Sequence, residues 1–256
     1  MLETEKVDLV RNGPEIIDDP SRLQSYWRAL LKGWRDGDDF NRLPPQVLQN
    51  CCFPPDFPHI SDVQIDQIVG DYYQSQGAQI QETAASLTQA LNKISTSMAI
   101  KLKSLGMALP PIPVIPTPFG TVAGGCDATG DWLYIRLPST RPAILASVFT
   151  LDRYRGDIEL LTHELVCHRG TQQARAGTKI SDISTQCTDH WLKEAYMELL
   201  GVHLLVSAGY DKDAITLQKL AIGGYEQLKE LLCVNGNEND FKYPTIEEQV
   251  EVICRT

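Results

Sequence analysis

Two histidines and a glutamate stand close together in THELVCH, at His163, Glu164 and His168. Neutral imidazoles are good zinc ligands, and a neighbouring carboxylate can take a proton from water that the ion has acidified. The difficulty is the spacing. Histidines four apart on an α-helix differ by about 40° and lie one turn above each other, whereas five apart they differ by about 140°. A regular helix would therefore point His163 and His168 in different directions. A one-residue π-bulge would absorb the extra residue, and such bulges gather at functional sites. Cys167 occupies the i+4 position, and a His163/Cys167 pair needs no bulge. His168 is preferred, because a thiolate leaves zinc a weaker Lewis acid than an imidazole does. Both alternatives stay open at this point.

Four of the five histidines lie between residues 163 and 203, so the neighbourhood was read further. HELVCH resembles the HExxxH helix of the dipeptidyl-peptidase III family, in which that expanded motif binds zinc. HWLKEAYMELLG resembles the third-ligand helix of gluzincin metallopeptidases, often written WLxEG or WLxEA. The resemblance runs over about residues 131–204, with WLYIRL as a softer third element, and does not reach the first 110 residues. The chain is also far shorter than a dipeptidyl-peptidase III. What is implied is a small gluzincin-like zinc metallopeptidase, not a member of that family proper.

Carried over residue by residue, the resemblance implies His163 and His168 as metal ligands, Glu194 as the third, Glu164 as general base, and one Zn2+ per chain. The Trp191-Leu192 context singles out Glu194. Glu198, one turn further on, either orients a ligating imidazole or is a surface charge. Peptide-bond hydrolysis would proceed by attack of activated water, with Glu164 passing the proton to the leaving amine. The oxyanion needs a further donor, for which His190, Tyr196, His203 and Tyr210 are candidates by proximity in sequence. Arg169 either holds a substrate carboxylate or is solvated at a helix end. The same ligands accept cobalt, nickel or manganese.

Elements must position these residues. GDIELLTHELVCH and TDHWLKEAYMELLGVHLLVSAG read as two helices joined by a polar loop through Ser184. TVAGGCDATGDWLYIRLPS reads as a hairpin turning at Asp127 to Gly130. In WLYIRL, Trp132, Tyr134 and Arg136 alternate with Leu133, Ile135 and Leu137, as in a strand with one covered face; it could align an extended peptide as an edge strand. PPIPVIPTPFG reads as a rigid linker and marks a boundary. Upstream, SRLQSYWRALLKGWRDG predicts an amphipathic helix capped at Ser21 and stopped at Gly37.

A longer helix is marked by Ile80, Ala84, Leu87, Leu91, Ile94, Met98, Leu102 and Leu105, ending at Gly106. That stripe either packs on its own chain, the preferred reading, or forms a seam for self-association. NRLPPQVLQNCCFPPDFPHI reads as a winding connection. DAITLQKLAIGGYEQLKELLC and TIEEQVEVIC, with a Thr245/Glu248 capping box, predict two further helices.

The expected fold class is α+β, mainly helical. A helical N-terminal region over 1–109 precedes a zincin-like unit over 110–256, with a small β-sheet and two metal-bearing helices. The composition is that of an ordinary globular chain: 256 residues, 43% hydrophobic and 22% charged. A net charge of −10 argues against a nucleic-acid partner. No apolar run suits a secretory signal or a membrane span, and seven scattered cysteines without a CxxC pair suggest reduced thiols, so a cytoplasmic location is expected. The expected partner is a peptide or protein substrate. Rival readings are a catalytically inactive zincin-like scaffold, and a metal-dependent hydrolase of non-peptide amides.

Overall fold

The computed structural model describes residues 13–37, 52–54, 56–57, 59–120, 122–126, 131–141, 156–170 and 190–210, without the side chains of 190–196, 199 and 202. The polar loop after Gly170, both predicted helices beyond Tyr210, the hairpin turn at 127–130 and most of the winding connection lie outside the described residues. What is described is mainly helical with a small four-stranded mixed sheet. It divides into two compact units, one drawing on Gly13–Gln89 and Pro111–Tyr154, the other on Ala90–Pro110 and the chain from Arg155 onward. No helix among the described residues is long and apolar enough to cross a membrane.

The sheet belongs to the first unit. Its strands are β1 (Glu15–Ile16), β2 (Pro113–Thr117), β3 (Gly124–Cys126) and β4 (Leu133–Arg136), in the order β1-β2-β4-β3. β1, β2 and β4 run parallel, and β3 pairs antiparallel with β4 in the register Gly124↔Ile135. The N-terminal region is thus not wholly helical, since it supplies β1.

The proline-rich stretch is a strand, not a linker. A strand tolerates proline only where no ladder N–H is needed. The carbonyls of Ile112 and Val114 accept from Glu15 and Ile17, so even-numbered residues of β2 face β1. β1 ends before it reaches Pro116, and there the Trp27 indole N–H donates to the Pro116 carbonyl at 2.9 Å instead. Pro113 opens the strand, one residue before pairing with β4 begins at Val114↔Leu133.

WLYIRL forms β4 as expected, but in the interior of the sheet. Pairing with β2 on one side and β3 on the other leaves it no open edge, so it does not serve as the edge strand. Both of its faces are covered too: Trp132 through Leu137 are all buried. Arg136 is fully buried and is held by donation from Nη1 to the Gly120 carbonyl and from Nη2 to the Cys52 Sγ at 3.7 Å. Gly120 has φ +149, and a Cβ there would come within 2.9 Å of the Arg136 Cδ.

Helix α1 (Pro20–Asp36) buries Leu23, Trp27, Leu30 and Leu31. Its N-cap is Asp19 rather than Ser21: the carboxylate accepts from the Arg22 N–H at 2.9 Å and from the Ser21 hydroxyl at 2.7 Å. Proline at the first helical position fits this placement, because its missing N–H would have had no partner there. Trp27 packs edge-on against Phe119, within a core that also takes Phe53, Phe57, Ile65, Val69 and Ile115.

Helix α2 (Asp62–Ser97) starts well before Ile80. A capping box opens it, with the Ser61 N–H donating to Gln64 Oε1 at 2.8 Å and the Gln64 N–H to Ser61 Oγ at 3.3 Å. It breaks at Ser97, where Thr96 and Ser97 hydroxyls donate to the Asn92 and Lys93 carbonyls and compete with the backbone ladder. A short α3 (Ala99–Ser104) follows, and Gly106 stops it with φ +70. Ile80, Ala84, Leu87, Ile94, Met98 and Leu102 are all buried within this one chain, as expected of a stripe that packs on its own chain.

Candidate metal centre

The second unit carries the chemistry. Helix α4 (Asp157–Leu161) runs directly into a π-helix over Thr162–Gly170, which is followed in the described chain by α5 (His190–Ser207). Leu160, Leu161, Leu165 and Val166 are buried, as are Met197, Leu200, Leu204 and Leu205 of α5. Gly170 ends the π-helix beside Met107, whose Cε would lie 3.1 Å from any added Cβ.

The π-helix resolves the spacing problem. Its i→i+5 ladder turns the five-residue separation of His163 and His168 into a single turn. The two imidazoles meet with ring centroids 4.5 Å apart at an interplanar angle of 79°. Their Nε2 atoms approach to 3.0 Å. Two ligands on a tetrahedral zinc with Zn–N near 2.0–2.1 Å would stand about 3.3 Å apart. Metal-free, the same contact is a hydrogen bond from one ring's N–H to the other's lone pair.

Behind His163 stands a carboxylate. Its Nδ1 lies 3.4 Å from Glu198 Oε1, and both residues are 7% exposed. Glu198 is therefore no surface charge. In this position it fixes the tautomer that leaves Nε2 turned toward His168.

Cys167 is wholly buried, and its thiol is pushed well above the usual range, by burial first and then by the Glu198 and Glu164 carboxylates. In this register it is a neutral thiol rather than a thiolate ligand. Glu164 is half-buried on the π-helix, next to His163.

The remaining predicted site residues are placed unevenly. Glu194, His190 and Tyr196 sit on the first two turns of α5, with side chains outside the described set. Glu194 precedes Glu198 by four residues and so shares its helix face. His203 is half-buried, about 7.5 Å further along the helix axis than Glu198. Tyr210 lies beyond the end of α5, where Gly209 at φ +86 turns the chain and the Tyr210 N–H donates to the Leu205 carbonyl. Its hydroxyl titrates above the ordinary tyrosine range because of burial. Arg169 is half-buried rather than fully solvated.

The donor set fits zinc as far as it is described: two converging imidazole nitrogens, one of them backed by a carboxylate. Among the described residues, no group of three or more His, Cys, Asp or Glu side chains is arranged to hold an ion. No family model matches the chain, and neither the curated proteins nor the solved structures give a significant match.

Proposed function

We propose that the chain is a small zincin-like hydrolase that cleaves peptide bonds with one zinc ion held by His163, His168 and Glu194. The observation that carries this reading is the 3.0 Å approach of the two Nε2 atoms across a π-helix, with Glu198 behind one of the rings. Glu194 as the third ligand follows from its place one turn before Glu198 on α5. Glu198 reaches the Nδ1 side of His163, and the preceding turn of the same face is positioned for the Nε2 side.

Zinc bound there would supply Lewis acidity and an acidified water. Glu164 takes the proton from that water and delivers it to the leaving amine. Glu198 keeps the Nδ1 proton of His163 in place throughout. His203, with His190 and Tyr196 on the same helix, is a candidate donor to the developing oxyanion; Tyr210 is the most distant of the four along the chain. The substrate is a peptide or protein, and the cytoplasm is the proposed location.

The test is a peptide-hydrolysis screen of the zinc-loaded protein beside Glu164→Gln. Activity should fall by about 100-fold or more in the variant while zinc stays bound. Unchanged turnover would remove Glu164 from the mechanism.

A further inference from the structure

The π-helix over Thr162–Gly170 carries two ligand registers in one sequence. In the described register, His168 meets His163. In an α-helical register, Cys167 would take its place, since i+4 lies only about 40° from His163 whereas i+5 lies about 140° away. The thiol is wholly buried and lies within electrostatic reach of Glu198 and Glu164, so it already belongs to this site.

The two registers differ in both backbone and ligand chemistry. π-helices are rare and mostly confined to single-turn bulges, so the nine residues held here run against the backbone's ordinary preference for the i→i+4 ladder. Imidazole suits zinc, whereas thiolate selects softer cations. A ligand that favours one of two states shifts the population by its differential affinity for them.

We propose that this helix is a cation-selective switch of ligand register: zinc is held through His163 and His168, and a soft cation such as Cd2+ through His163 and Cys167. The inference rests on the metal-centre reading above and adds a second class of ligand to the same site. Ligation by Cys167 releases its thiol proton to solvent and forms a metal–sulfur bond, with no redox change.

The experiment loads the full chain, Cys167→Ser and His168→Ala separately with Zn2+ and with Cd2+. It reads affinity by chelator competition and thiolate-to-cadmium charge transfer by ultraviolet absorption. The wild type with Cd2+ should show the charge-transfer band, His168→Ala should keep it, and Cys167→Ser should lose it. Zinc affinity should show the reverse dependence: strongly weakened in His168→Ala and nearly unchanged in Cys167→Ser. A cadmium complex without the band, or a band that survives Cys167→Ser, overturns the switch while leaving the zinc reading intact. Failure of the wild type to bind zinc, with the Cys167-dependent cadmium band present, overturns the zinc reading instead.

Discussion

His163 Nδ1 lies 3.4 Å from Glu198 Oε1, on the side of the ring opposite the Nε2 that meets His168. An imidazole has two nitrogens with different duties, and the carboxylate settles which is which. Glu198 belongs to α5 and His163 to the π-helix, so the contact also ties the two elements together at the site.

Glu198→Gln should therefore weaken zinc binding on the order of 10- to 100-fold without unfolding the chain. Gln has nearly the same shape but offers no charge to the Nδ1 proton. The measurement is zinc affinity by chelator competition, with circular dichroism as the control for folding. An affinity equal to wild type would reduce Glu198 to packing.

Trp27→Phe should destabilise the first unit by about 1–3 kcal/mol. It keeps an aromatic ring but strips the Pro116 carbonyl of its indole donor in a buried place. Urea denaturation reads this directly. A change of a few tenths would mean that water reaches that carbonyl.

Tyr72 gives a pH prediction. Its hydroxyl is pushed up to about 12, by burial first and then by Cys52. An unfolded tyrosine titrates near 10, so between these values the folded chain holds more protons than the unfolded one. The contribution of Tyr72 is fully present below pH 10 and is lost as the pH rises toward 12. Denaturation midpoints taken across that interval should fall with pH in the wild type and fall less in Tyr72→Phe. Equal slopes would mean that Tyr72 ionises alike in both states.

Parts of this arrangement were legible in the sequence because they depend on local rules. The five-residue spacing in HELVCH demanded a π-turn on geometric grounds, and a π-helix stands there. The glycine-rich segment and WLYIRL do pair as antiparallel neighbours. Where the reading went astray, a tertiary partner decided. Pro113 and Pro116 signal a linker locally, yet a short β1 and the Trp27 indole make a strand of them. Arg136 signals a solvent-facing position, yet the Gly120 carbonyl and Cys52 pay for its burial. The Ser61/Gln64 capping box was a legible signal for the start of α2, but the apolar stripe drew attention to its second half. Glu198 could be named as a candidate from spacing alone, but its burial could not.

Zinc content of the purified chain, beside His163→Ala, His168→Ala, Glu194→Ala and Cys167→Ala, tests the central claim most directly. The account predicts about one zinc per chain, as for a single mononuclear site, lost with either histidine or with Glu194 and retained with Cys167→Ala. Retention of zinc in His168→Ala, or a wild-type chain that takes up none, would contradict it.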